Sequence, residues 1–284
     1  MTKLKIGGVP EHFNLPWRLA IQEGLFENIN VKVHWSDMPG GTGQMVKGLM
    51  NESIDIAVLL TEGITKAILE GLPAKILSFY VDTPLRWGIH VPRESPIKNP
   101  ANLAEKKFAI SRHGSGSHLM TFIEAKKHHW DINKLTFNVV GDIYGGLWAL
   151  ENNKADAFLW EKFTTRPFVK KEKCNFIGEV VTPWPCFVIA ARKNIVENKK
   201  EELVQLIEIV RKRALVLKND PLAVDKISWR YHLEKSDVKT WLEETNWSNT
   251  NEIDYSQFES VISFLQKAKL IDEKDSKNYL KKLF

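Results

Sequence analysis

The chain has 284 residues, 43% of them hydrophobic, with 40 Lys+Arg against 35 Asp+Glu and a formal net charge of +5. That length suits two modest domains, and the small basic excess, carried by lysines that alternate with acids towards the C-terminus, argues against nucleic acid as a partner. No run of about 18 apolar residues could cross a membrane, so no membrane partner is expected, and Met1-Thr2-Lys3 leads straight into an apolar strand without a secretory signal, which predicts a cytoplasmic protein.

In chain order, strand patterns fall at 4–9, 30–35, 55–60, 75–81, 87–92, 107–111, 135–140, 156–160, 176–181 and 187–191. Helical patterns lie between them at 15–26, 42–51, 62–70, 117–130, 144–152 and 163–171. Such alternation predicts an α/β protein whose sheets are mostly parallel and flanked by helices. After residue 191 only helical periodicity remains, at 197–218, from Pro221, and at 236–244, 255–269 and 274–283. This C-terminal helical layer needs a sheet to cover.

Two turns rich in Gly, Ser and Thr each follow a strand and open a helix: Pro39-Gly40-Gly41-Thr42-Gly43-Gln44 and Arg112-His113-Gly114-Ser115-Gly116-Ser117-His118. Helix starts carry unpaired N–H groups and partial positive charge, so each turn could hold an anion. Neither matches a dinucleotide or phosphate-loop fingerprint, and glycine relieving a tight turn with Thr42 or Ser117 capping is the plain alternative. The turns are expected in matching parts of two halves. A weak echo between 49–57 and 150–158 supports related halves, since in each a helix ends in polar residues and an Asp introduces an apolar strand leading to Glu62 or Glu161.

In this order the motifs Gly7-Gly8-Val9-Pro10-Glu11-His12-Phe13-Asn14-Leu15-Pro16, Ala20-Ile21-Gln22-Glu23-Gly24-Leu25-Phe26, Val31-Lys32-Val33-His34-Trp35, Gly40-Gly41-Thr42, Asp55-Ile56-Ala57 and Gly114-Ser115-Gly116-Ser117-His118 resemble the type II periplasmic-binding-protein-like fold. The likeness is to the branch of alkanesulfonate and taurine transporter binding proteins and thiamine-pyrimidine synthases, and within it to a cytosolic group that includes a conserved Candida protein. It implies two lobes, 1–86 with 190–284 and 87–189, crossings near 84–92 and 182–189, and the C-terminal helical layer on the first lobe. It also implies a ligand in the cleft between lobes, as expected where open α/β sheets bind at the carboxyl ends of strands. The synthases' dense cysteine run is missing, because Thr182-Pro183-Trp184-Pro185-Cys186-Phe187 has a single cysteine. No metal and no cofactor is therefore expected, and Cys174 and Cys186 have no metal-site spacing.

The candidate ligand-binding residues are His12, Phe13, Asn14, Gly41, Thr42, Thr61, Glu62, Arg112, Gly114, Ser115, Gly116, Ser117, Tyr144, Trp160, Glu161 and Trp184. Arg112 could pair bidentately with an anion, or form an ordinary surface salt bridge. His12 could donate to a ligand or exchange protons near neutral pH, or simply be solvated. Asn14 could cap the helix opened by Leu15-Pro16. Glu62 and Glu161 could receive a ligand amine or cap the helices that follow, while Trp160 and Trp184 could wall a planar ring or pack on helix faces.

With no assembled catalytic set and no Gly-x-Ser-x-Gly elbow, the expected function is binding of a small anionic or zwitterionic organic ligand without chemistry. The alternative is a cytosolic enzyme on the same scaffold in thiamine-precursor or menaquinone-type metabolism, with His12, Glu62 and Glu161 as its acid-base candidates. A ligand-sensing module acting through a separate partner is the third class, and a homodimer is allowed but not required.

Overall fold

A computed structural model describes residues 1–250 and 252–284. The chain forms two compact units, Met1–Thr83 with Trp184–Phe284, and Pro84–Pro183.

The first unit begins with three strand-to-helix steps: β1 Thr2–Gly8 to α1 Leu15–Gln22, β2 Val31–Asp37 to α2 Gly41–Met50, and β3 Ile56–Leu60 to α3 Thr61–Leu69, followed by β4 Ala74–Val81. β1 pairs parallel with β2 and with β3. β3 reads Ile-Ala-Val-Leu-Leu and is buried almost throughout, the composition of a strand covered on both faces.

The second unit repeats this plan after a leading strand, β5 Arg86–Val91. β6 Lys107–Ile110 leads to α4 Gly116–Lys127, β7 Thr136–Val139 to α5 Ile143–Glu151, and β8 Ala157–Glu161 to α6 Lys162–Lys170, with β9 Asn175–Val181 closing the unit. The strand order is β7-β6-β8-β5-β9, with β5 antiparallel to both neighbours. Phe158, Leu150, Ala109 and Cys174 form a buried cluster in this unit.

The chain then supplies β10, Phe187–Arg192, to the first sheet, giving the order β2-β1-β3-β10-β4 with β10 antiparallel to β3 and β4. Each five-stranded sheet is thus mixed, four strands in one direction and one returning. Because β10 belongs to the first sheet, residues 184–189, which the sequence assigned to the second lobe, lie in the first unit.

Seven helices complete the first unit: α7 Lys193–Asn198, α8 Lys200–Lys218, α9 Ala223–Tyr231, α10 Lys235–Glu244, α11 Tyr255–Lys267, α12 Glu273–Ser276 and α13 Tyr279–Leu283. They do join the first unit, but much of their packing is on other helices: α8 lies on α1, while α11 and α13 lie on α3. Phe258 of α11 reaches β4, stacking on Phe79 at 5.2 Å. Among the described residues no helix is long and apolar enough to cross a membrane.

The shared strand plan corrects the pairing of the two turns. β6 occupies the place of β1 and β7 that of β2, so the counterpart of the turn at 112–118 is the segment 9–14, and the counterpart of 39–44 is the turn into α5. The 49–57 and 150–158 echo does fall on equivalent parts, the end of α2 into β3 and the end of α5 into β8.

Candidate functional site

In the first unit, residues from three strand ends carry the predicted set. After β1, His12–Asn14 forms a single 3-10 turn before Pro16 enters the first turn of α1, where its missing N–H costs nothing. His12 is 1% exposed, stacked on Phe13 at 4.9 Å and edge-on to Trp241 at 4.2 Å. Burial lowers its pKa to about 3, so the ring is neutral, and its Nε2 has no hydrogen-bond partner among the described residues. This corrects two readings of His12, since the ring is neither solvated nor poised to exchange protons near neutral pH; as a neutral imidazole with one N–H it can still donate to a ligand. The Phe13 carbonyl accepts from the Tyr80 hydroxyl at 2.7 Å and the Trp247 indole at 3.0 Å, which fixes the turn. Asn14 does not cap α1 with its side chain; its Nδ2 donates to the Val9 carbonyl at 2.9 Å, and its Oδ1 is buried without a partner among the described residues.

Gly41 has φ of 64°, a backbone state that glycine adopts without the steric cost of a Cβ. Thr42 does not cap α2. Its hydroxyl accepts from the Leu60 N–H at 3.3 Å, and its methyl fills the space beside Gly63, where an added Cβ would come within 2.5 Å of it. The starts of α2 and α3 are locked together in this way. At α3, the Thr61 hydroxyl donates to the Pro185 carbonyl at 2.5 Å, and Glu62 Oε2 accepts from the Trp184 indole at 2.9 Å. Glu62 Oε1 is buried without a partner among the described residues, and burial raises the carboxyl pKa to about 7. The structure therefore brings Thr61, Glu62 and Trp184 together within the first unit.

In the second unit the turn after β6 is internally bonded. Gly114, at φ of 75°, donates its N–H to His118 Nδ1 at 2.9 Å. Ser115 is the N-cap of α4, accepting from the His118 N–H at 3.4 Å. The Ser115 and Ser117 hydroxyls lie 3.0 Å apart, and Ser117 Oγ accepts from the Ser111 N–H at 3.0 Å. The Gly116 and Ser117 N–H groups, in the first turn of the helix, have no acceptor among the described residues. Arg112 is half-buried immediately before this turn, and burial lowers its pKa. The result is a helix start with two open donors, two hydroxyls and a guanidinium within six residues, an arrangement suited to a small anion.

The other three predicted residues of this unit are engaged elsewhere. Glu161 caps α6, accepting from the Phe163 N–H at 3.1 Å, the Thr164 N–H at 2.6 Å and the Thr164 hydroxyl at 2.7 Å. With both oxygens occupied it is a capping residue and not a receptor for a ligand amine. Trp160 packs on the buried cluster, 5.4 Å from Phe158. Tyr144 is 70% exposed, its ring edge-on to Phe168 at 6.2 Å.

A family model, that of the Ca3427-like PBP, matches residues 87–180. Among solved structures, the CA3427 gene product of Candida albicans, described as defining a new family with the generic periplasmic binding protein fold, is 23% identical, with a TM-score of 0.90 over 99% of this chain and 95% of that one. The fold is the type II periplasmic-binding-protein fold. The alkanesulfonate-binding protein SsuA from Xanthomonas axonopodis pv. citri, bound to MOPS, shares this fold at 16% identity and a TM-score of 0.82, covering 96% of this chain and 95% of its own. PhnD1 from Prochlorococcus marinus, in complex with methylphosphonate, does so at 13% identity and a TM-score of 0.66, covering 95% and 99%. Among curated proteins none matches the chain in sequence.

Within this periplasmic-binding-protein fold, two supports of the candidate site escaped the sequence reading. His118 lies within the quoted turn, four residues after Gly114, and its ring is held between Phe122 at 4.7 Å and Phe137 at 4.5 Å. That spacing is the signal that could have marked it. Trp241, which covers His12, lies on a helix more than two hundred residues away, and only the fold brings the two together.

Proposed function

We propose that this protein binds a small organic anion or zwitterion of the sulfonate or phosphonate kind and releases it unchanged. The observation that carries this reading is the start of α4, where the Gly116 and Ser117 N–H groups lack an acceptor among the described residues beside the Ser115 and Ser117 hydroxyls and the half-buried Arg112. The solved relatives that bind MOPS and methylphosphonate support the ligand class. Cytoplasmic location is part of the proposal. Cys174 and Cys186, both buried and neither in a disulfide among the described residues, are compatible with a reducing compartment, and cell fractionation checks it.

Isothermal titration with MOPS, taurine and methylphosphonate tests the binding. A charge-assisted hydrogen bond contributes roughly 1.5 to 3 kcal/mol, so Arg112→Ala should weaken the bound ligand about tenfold or more, and Ser117→Ala should weaken the same one. Absence of binding at millimolar concentration for all three would sink the proposal. A second reading, an enzyme of cofactor metabolism, is favoured by one observation, the buried Glu62 carboxyl with its pKa near 7, which suits a general acid or base. Turnover of thiamine-precursor or menaquinone-type substrates that disappears in Glu62→Gln would establish it.

A further inference from the structure

The first unit carries a cavity of about 520 Å³ whose lining includes none of the candidate ligand-binding residues, although it reaches Val9, the acceptor for Asn14, and Tyr231, whose ring is 6.1 Å from His12. It lies past the ends of β1 and β2, with Arg18 of α1, Asp37 of β2 and the Trp229–His232 segment at the end of α9 among its walls.

The charges in this cavity do not cancel. Arg18 is spent: its Nη2 donates to Asp37 Oδ1, and its guanidinium lies 5.0 Å over the Trp35 ring. The same Asp37 oxygen accepts from the Trp35 indole at 3.1 Å, and its charge is matched by that of Arg18. Arg230 has no carboxylate partner among the described residues; its guanidinium lies 6.0 Å over the Tyr231 ring. One positive charge is left over.

The second feature is an aromatic face. Trp229 is 80% exposed, although an indole is a large apolar body with a single polar group. His232 ends α9 at φ of 55°, a left-handed state usually filled by Gly or Asn. A bare indole and an unneutralised guanidinium therefore come from adjacent residues, at the wall of a cavity of ligand size.

We propose that this cavity is a binding site for a planar aromatic anion, with the ring stacked on Trp229 and the anionic group held by Arg230. Aromatic carboxylates and nucleoside monophosphates share that chemistry. Its ligand class differs from the small sulfonates and phosphonates proposed above, none of which has an aromatic ring, so the two readings stand or fall separately.

The test follows indole N–H signals by NMR in the full chain, with Trp229 assigned by its loss in Trp229→Phe. Titrants are AMP and benzoate, with adenosine and ribose 5-phosphate as the ring-only and anion-only controls. Saturable movement of the Trp229 signal with AMP or benzoate is expected, with at least tenfold weaker binding of both controls. Arg230→Gln should weaken binding at least tenfold, and Trp229→Ala, read by calorimetry, likewise; Arg112→Ala should leave it unchanged. Both substituted side chains are exposed, so the variants should fold. No saturable shift with either aromatic anion would overturn the proposal. So would ribose 5-phosphate binding as tightly as AMP, or affinity unaffected by Arg230→Gln.

Discussion

Glu62 keeps one carboxylate oxygen on the Trp184 indole and the other buried without a partner among the described residues. Burial is the largest influence on it and raises the pKa from 4.5 to about 7, against the opposing hydrogen bonds. Since the native state holds the proton more tightly, unfolding releases it between those values. The stabilisation is complete below pH 4.5 and is lost as pH rises through about 7. Glu62→Gln keeps an acceptor for Trp184 and removes the ionisation. Its stability relative to the parent should therefore rise from near zero at pH 4 to about 3 kcal/mol at pH 8, measured by urea denaturation. Equal stability of the two proteins at pH 8 would mean that Glu62 ionises normally. Sequence marked Glu62 and Trp184 separately as candidates. Their bond was not legible, because 122 residues separate them and only β10, returning to the first sheet, brings Trp184 back.

Among the elements, the strand runs and about half of the helix runs were legible to within a residue or two because most are bounded by turn residues and differ in hydrophobic period; the runs expected at 15–26 and 117–130 end early, at Gln22 and Lys127, that at 197–218 begins at Lys200, and that at 274–283 divides into α12 and α13. The direction of β5 and β10 was not legible. Antiparallel return strands and parallel ones bury the same kinds of side chain when both faces are covered, and a period cannot show direction. Roles at helix starts also escaped, since they turn on single-residue register. Glu161, the last residue of β8, caps α6, whereas Glu62, the second residue of α3, reaches Trp184 instead. Three donors depend on Glu161. Glu161→Ala leaves the two backbone N–H groups without their cap, and the loss should be about 1 to 2 kcal/mol. Urea denaturation measures this, and Glu161→Gln should recover part of it. A neutral Ala variant would show that the cap is dispensable.

Across the molecule the same strand plan occurs twice, and both units bury neutral histidines. His12 belongs to the first unit, His90 and His118 to the second. Burial lowers their pKa values to about 3, 4 and 4, with the neighbouring His113 also acting on His118. His90 sits in β5 with Nδ1 3.2 Å from the Phe158 carbonyl and Nε2 without a partner. An unfolded histidine takes up its proton near pH 6.5, so each of these contributes stability that is present above that value and is lost as pH falls towards the folded pKa. Glu62, Glu161 and Asp82, whose pKa values burial raises, pull the other way until their unfolded forms protonate near pH 4. The histidines' share of the loss therefore falls between pH 6.5 and about 4, with His12 alone carrying it lower, and stability should decline across that range. His12→Phe isolates one share of the loss. Phenylalanine suits the aromatic surroundings of that ring and has no unpartnered nitrogen, so the stability lost between pH 6.5 and 4.5 should shrink by about 2 kcal/mol, one proton over two pH units. Denaturation at these two pH values measures the difference, and an unchanged difference would mean that His12 takes up its proton as readily in the native protein as in the unfolded chain.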